Sequence, residues 1–189
     1  MDKSLTKATK IMIVRHAEKP ATDFSPYGAT INGERSKESL SVRGWQRAGA
    51  LANFFAPTNV QFQHRFLAQP QFIYASTFIK RSGSRRPIET ITPLAEKLAI
   101  KINSDFPRFA VDQMLEDVFR CEGVVLICWQ REYIPTIAAS ILGSAGIAPA
   151  KWPDTQFDMV WIFDRVRSSG SYRFNQVPQR LLRGDQGLT

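Results

Sequence analysis

An arginine, a histidine and a carboxylate stand together in Arg15-His16-Ala17-Glu18, directly after the apolar run Ile11 to Val14. An imidazole set beside a guanidinium at the end of a buried strand is equipped for phosphoryl transfer. The ring nitrogen attacks phosphorus, the guanidinium holds the equatorial oxygens, and a phosphohistidine intermediate divides one hard step into two. The adjacent positive charge favours the neutral imidazole, which is the competent form of the nucleophile. A lone histidine is more often a satisfied core or surface group, so the weight of this reading rests on its context.

That context is a set of elements able to carry the group. Ile11 to Val14 reads as a parallel strand buried on both faces, and open α/β sheets place their ligands at the carboxyl ends of such strands. Residues 20 to 40, with Pro20, Pro26, Gly28 and Gly33 among polar residues, read as a long loop beside that end. Ser41 is a fitting N-cap for a helix whose apolar face is Trp45, Ala48, Leu51, Ala52 and Phe55, stopped by Pro57. Strands are expected at Phe72 to Ala75, Leu98 to Ile102, Gly123 to Trp129, Phe157 to Phe163 and Ser171 to Phe174. Further helices are expected after Ser84, at Ala110 to Phe119 and at Pro135 to Leu142, with Pro93 breaking or kinking the first of them. The alternation of strand and helix predicts one largely parallel sheet covered on both faces, a three-layer α/β/α sandwich.

The chain has 189 residues, the size of one α/β domain, and a single domain over 1–189 is expected. Its lysine-bearing start precedes an apolar run too short for a signal peptide, so the mature protein is expected to begin there. The longest apolar runs fall far below the roughly 18 residues of a membrane span. Cys121 and Cys128 lack the clustered histidines of a metal site and read as reduced thiols of a cytoplasmic protein. The net charge is +8. Apart from Lys80, Arg81, Arg85 and Arg86, however, basic residues are dispersed, without an aromatic-interleaved stripe or zinc-finger spacing. An anion pocket with a solvated basic surface therefore accounts for the charge better than a nucleic-acid partner.

In Arg15-His16-Ala17-Glu18 the chain resembles the histidine phosphatase superfamily, the phosphoglycerate mutase-like proteins, whose first strand ends in Arg-His-Gly-Glu or a close variant. The resemblance continues through Arg43-Gly44 and Gln46-Arg47-Ala48, which are similar to the family's first helix, and through Arg86-Pro87-Ile88-Glu89-Thr90, similar to its second arginine motif. Trp152-Pro153-Asp154, Phe157-Asp158 and Val177-Pro178-Gln179 extend the likeness to a branch of small members. It implies a phosphoglycerate mutase-like fold and a pocket where Arg15 and Arg86 hold a phosphoryl group without metal or cofactor, Arg85 or Arg81 replacing Arg86 if the register is shifted. Glu18 would orient or pair with the cluster.

The family's second histidine belongs in a stretch of the form Trp, any residue, His, two residues, Ile-Pro. Here Trp129-Gln130-Arg131-Glu132-Tyr133-Ile134-Pro135 places Arg131 in that position, and the other histidine, His64, lies in a distant segment. Arg131 can stabilise phosphoryl oxygens but cannot readily give up a proton, so binding should survive better than turnover. Asp105 and Glu116 fall in the region where the family places its acid, with Asp105 preferred as catalytic acid and a solvated surface role open for both. The expected ligand is a small phosphorylated substrate or inorganic phosphate. Two activities follow: a metal-independent phosphomonoester hydrolase acting through phospho-His16, or an inactive relative binding a phosphorylated ligand or anion. A mutase is less favoured, because no second hydroxyl site is evident, and no oligomeric state is implied.

Overall fold

A computed structural model describes residues 7–21, 27–79 and 84–186 of the chain. Arg81 and Lys80 of the basic group lie outside the described residues. Among the described residues six strands form a single sheet: β1 (Lys10–Arg15), β2 (Phe72–Ala75), β3 (Ile102–Asn103), β4 (Val124–Trp129), β5 (Met159–Arg165) and β6 (Tyr172–Pro178), in the order β3-β2-β4-β1-β5-β6. The pairs β1–β4, β2–β4 and β2–β3 are parallel, whereas β5 runs antiparallel to β1 and β6 antiparallel to β5.

Four helices, α1 (Val42–Phe55), α2 (Arg86–Leu98), α3 (Val111–Arg120) and α4 (Ile134–Leu142), cover the two faces. The alternation of side chains along a strand decides which helices each residue meets. Ile11 and Ile13 of β1, with Val125, Ile127 and Trp129 of β4, pack with the apolar stripes of α3 and α4. Met12 and Val14, with Leu126 and Cys128, pack with those of α1 and α2. Burial on both faces is why these strands read as unbroken apolar runs. The three-layer α/β/α sandwich with a largely parallel sheet is therefore the observed architecture.

Local departures from the expected elements have physical causes. The third strand does not begin at Leu98. Leu98 ends α2, Ala99 turns the chain with a left-handed φ of 53°, and β3 holds only Ile102 and Asn103. Pro93 does not break α2, which runs through it. Its amphipathic face, including Ile91, Leu94 and Ala95, is buried in the core, and that packing outweighs one lost backbone bond. The final strands continue further than expected, to Arg165 and Pro178, because each has a neighbour to pair with along that length. Among the described residues no helix is long and apolar enough to cross a membrane, and both cysteines are unpaired.

The exit of β1 is docked onto the start of α1. Ser41 caps α1 by accepting from Gly44 N at 3.1 Å, while its own N–H and hydroxyl both donate to the Glu18 carbonyl, at 3.0 and 3.1 Å. A Cβ on Gly44 would lie 2.5 Å from that carbonyl oxygen, whereas one on Gly49 in the same helix would meet nothing within 4 Å. Gly44→Ala should therefore lower stability by roughly 1–3 kcal/mol despite alanine's better helix propensity. Gly49→Ala should raise it by roughly 0.4–1 kcal/mol. Urea unfolding of the two variants beside the wild type checks this, and equal shifts of both midpoints would contradict the docking.

Candidate active site

The parallel register aligns Arg15 with Trp129 and Ala75 with Cys128, so the carboxyl ends of β1, β2 and β4 lie side by side. His16, Ser76 and Gln130 are the next residues of the three strands, and all are buried. His16 N–H still donates to the Trp129 carbonyl at 3.1 Å, which extends the pairing one residue past β1. Gln130 Nε2 donates to Ser76 Oγ at 2.7 Å, closing the edge between β4 and β2.

The ring of His16 has its Nδ1 2.8 Å from the Ala17 carbonyl. A carbonyl has no proton to give, so Nδ1 carries the hydrogen in the neutral ring and Nε2 keeps its lone pair. Burial pushes the His16 pKa down to about 3, and the charges of Arg86, Arg15 and Lys19 act in the same direction against the opposing bond to Ala17. The imidazole is therefore neutral at neutral pH, with its Nε2 lone pair free of a proton.

Arg15 is 2% exposed and its Nη1 donates to three backbone carbonyls, those of Pro153, Asp154 and Gln156, at 3.3, 2.7 and 3.1 Å. Its guanidinium lies 3.8 Å from the centroid of the Phe157 ring. Desolvation, with the repulsion of Arg131 next in size, lowers the Arg15 pKa to about 10, which leaves it charged at neutral pH. Arg86 opens α2 and donates from Nη1 to the Lys37 carbonyl at 3.0 Å. Its motif partners fix it in place. Thr90 Oγ1 donates to the Arg86 carbonyl at 2.6 Å and accepts from Ala17 N at 2.8 Å, joining α2 to the exit of β1. Glu89 accepts from Ser39 Oγ and Leu40 N, at 2.7 and 2.9 Å, joining α2 to the loop before α1.

Arg131, in the turn after β4, pairs with the Asp154 carboxylate while the Asp154 carbonyl receives Arg15. The segment Trp152 to Phe157 thus holds two of the arginines, one through a side chain and one through its backbone. Buried Arg15 Nε, Arg86 Nε and Gln130 Oε1 have no hydrogen-bond partner among the described residues. An orphaned buried donor costs about 1–3 kcal/mol, so two guanidinium N–H groups are stabilised by an added acceptor.

The structure thus brings Arg15 within electrostatic reach of His16, Arg86 and Arg131, and Arg86 within reach of His16. Two other expected residues are placed elsewhere. Glu18 does not contact Arg15 or Arg86; its carboxylate holds Arg47 through both oxygens, at 2.8 to 3.1 Å, and Arg43 at 3.2 Å. Asp105 is exposed just after β3, its backbone N–H bonded to Asn103 Oδ1, and it is not among the charges acting most on Arg15, His16 or Arg86. Glu132 is, on both arginines. Its position directly after Arg131 was the available signal in the sequence. Arg85 is exposed, with its guanidinium 4.4 Å from the Phe78 ring centroid. His64 bonds within its own turn, its ring nitrogen accepting from Phe66 N. Among the described residues no group of three or more His, Cys, Asp or Glu side chains is placed to hold a metal ion.

The architecture is shared with several solved structures. The alpha-ribazole phosphatase from Shigella flexneri superposes with a TM-score of 0.58 at 12% identity, over 94% of this chain and 100% of that one. The mycobacterial glucosyl-3-phosphoglycerate phosphatase Rv2419c gives 0.53 at 16% identity, over 90% and 97%. YhfR of Bacillus stearothermophilus gives 0.51 at 16% identity, over 94% and 98%. The likeness is one of fold, the phosphoglycerate mutase-like fold, over nearly the whole of each chain. No protein-family model and no curated protein matches the sequence.

Two measurements check the electrostatics. The imidazole protons of His16, assigned by comparison with His16→Ala, should show no NMR titration between about pH 8 and 5, a range that brackets the ordinary value of 6.5. A midpoint inside that range would mean that the ring is solvated. Asp185 is held below its ordinary 3.8: burial, the largest single effect, raises it, but the hydrogen bond and charge of Arg47 together with the N–H bonds from Leu182 and Leu181 lower it by more. A depressed folded-state value contributes stability above the unfolded pKa that is lost as pH falls through the folded one. Asp185→Asn should therefore cost about 2 kcal/mol at neutral pH, with the difference from wild type shrinking below about pH 4, as read by urea unfolding across pH.

Proposed function

We propose that this chain is a member of the histidine phosphatase superfamily and a metal-independent phosphomonoester hydrolase, working as one domain among the reduced thiols of the cytoplasm. The observation that carries the reading is the pair of orphaned guanidinium Nε–H groups beside a neutral, buried imidazole whose Nδ1 is already committed to a carbonyl. Arg15 and Arg86 hold the equatorial oxygens, and His16 Nε2 attacks phosphorus in line with the leaving oxygen. The N–P bond forms as the P–O bond breaks, and the leaving oxygen takes a proton. Water then attacks phosphorus, the N–P bond breaks, and inorganic phosphate departs as a base accepts the water's proton. We assign the proton donor and acceptor to Glu132 in preference to Asp105, because its charge acts on both phosphate-binding arginines.

Arg131 favours a second reading. It stands at the expected position of the second histidine, is tied to Asp154, and adds a positive charge near Arg15. A pocket richer in fixed cations binds the phosphate dianion tightly and loses selectivity for the transition state, so a phosphate-binding protein with little turnover is the alternative.

Phosphate release from aryl and alkyl monoesters, measured with chelator present, separates the two. Hydrolysis should persist in chelator and vanish in His16→Ala. Glu132→Gln should reduce alkyl ester turnover by about a hundredfold and affect aryl esters, which leave without help, much less. A silent wild type that binds phosphate and gains turnover in Arg131→His would establish the binding protein instead, and activity retained in His16→Ala would refute the phosphohistidine route.

A further inference from the structure

Three short motifs of the sequence, Trp152-Pro153-Asp154, Phe157-Asp158 and Val177-Pro178-Gln179, are joined to one another beside Arg15. The carbonyls and the aromatic ring that hold Arg15 all belong to residues 153–157. The Phe157 ring also lies 6.2 Å from that of His16, centroid to centroid. These residues form neither strand nor helix. Backbone carbonyls hold a cation only as firmly as the backbone itself is held, so whatever fixes this segment also fixes Arg15.

Its first end is closed by local contacts. Trp152 is buried, with its ring centroid 5.1 Å from that of Trp161 in β5. The Trp152 indole donates to the Gln156 carbonyl at 2.8 Å, and the same oxygen receives Arg15. Gln156 N donates to the Pro153 carbonyl at 3.2 Å.

The second end is fastened to a remote part of the chain. Asp158 is 4% exposed. Its carbonyl accepts from Gln179 N at 2.7 Å, and its carboxylate Oδ2 accepts from Gln186 N. Gln179, fully buried, donates from Nε2 to the Met159 carbonyl at 3.2 Å and accepts from Arg47 Nη1 at 3.0 Å. Asp185 gathers the chain just before Gln186, taking Leu181 N, Leu182 N and the Arg47 guanidinium. Among the described residues no cation is paired with Asp158. Its bond to Gln186 is a charge-assisted one, stronger than a neutral side chain would make, and it adds no further cation beside Arg15.

We propose that Asp158 is a positioning residue for Arg15, acting through Phe157 and the Gln156 carbonyl, and that it couples the anion affinity of the site to the segment 179–186. The consequence for affinity rests on the phosphate reading of the His16 cluster. Once Asp158 is released, the ring and the carbonyls around Arg15 gain freedom. The guanidinium must then be ordered again when an anion arrives, which weakens binding. Arg15 holds phosphate both before and during transfer, so the loss falls on KM more than on kcat.

The test compares Gln186→Pro, which removes the N–H that Asp158 accepts, with Gln186→Ala, which keeps it, and adds Asp158→Ala. The first readout is solvent exchange of the Arg15 Nε–H by NMR in phosphate-free buffer, the signal being assigned by its absence in Arg15→Lys. The second is the calorimetric Kd for inorganic phosphate. Gln186→Pro and Asp158→Ala should speed the exchange by about tenfold or more and weaken phosphate by about tenfold. With p-nitrophenyl phosphate as substrate, KM should rise while kcat stays within about twofold. Gln186→Ala should match the wild type. Exchange at the wild-type rate in Gln186→Pro, or equal changes in the two Gln186 variants, would overturn the proposal whatever happens to the urea midpoint. So would a loss confined to kcat, or an unchanged Kd where the wild type binds phosphate. A wild type that binds no phosphate defeats the phosphate reading alone, and the exchange rates still decide whether Asp158 positions Arg15. Should Asp158→Ala fail to fold, the Gln186 pair carries the test, because it leaves Asp158 and every side chain around Arg15 in place.

Discussion

The site depends on keeping positive charge buried without cancelling it. Two arginines of this fold are equally inaccessible, each 2% exposed, and their treatment differs. Arg47 is enclosed by the carboxylates of Glu18 and Asp185 and the Gln179 amide, so its charge is neutralised where it stands. Arg15 is held by three backbone carbonyls and an aromatic face, partners that solvate a cation but carry no net charge. Neutralisation makes Arg47 a structural clasp. Solvation by dipoles leaves Arg15 with a field that reaches His16 and that an anion can answer.

The surrounding structure follows from that constraint. Cations that repel one another must be fixed by the chain, and each is fixed by a separate segment. Arg15 ends β1, Arg86 opens α2, and Arg131 occupies the turn after β4. The ties between segments are short side-chain bonds: Thr90 to Ala17, Glu89 to Leu40 and Ser39, and Ser41 to the Glu18 carbonyl. Each lies one layer behind the charged groups and uses the residues next to them in sequence, so the motif residues that touch no ligand set the geometry of those that would. The Glu18–Arg47–Asp185 clasp does the same at longer range, drawing the end of the chain against α1 and the exit of β1. Glu18 belongs to the pocket's framework in that sense, although its charge is spent on Arg47.

Much of the fold was legible because burial on two faces writes itself into composition. The runs at β1 and β4 and the amphipathic stripes of α1 and α3 were readable for that reason. Short elements were not, since β3 has two residues and no periodicity to read. The helix running through Pro93 was not, since local propensity spoke against a continuity that core packing enforces. In the candidate site, Arg15 and His16 were singled out by a strand ending in polar groups, and Arg86 by the resemblance of the motif around it. Glu132 was obscured by standing next to the more conspicuous Arg131, and the anchoring of Asp158 by its separation in sequence from Gln186.

The sequence by itself determined the longer strands and helices, the layers and the residue types from which a phosphoryl-binding site is proposed, because these depend on hydrophobic period and residue chemistry within short windows. Only the tertiary structure decided which cations are neutralised and which are left open. That depends on distances between residues remote in the chain: Arg47 to Asp185, and Arg15 to the carbonyls at Pro153 to Gln156. Electrostatic energy falls with separation in space and with solvent access, and neither quantity is a property of sequence position.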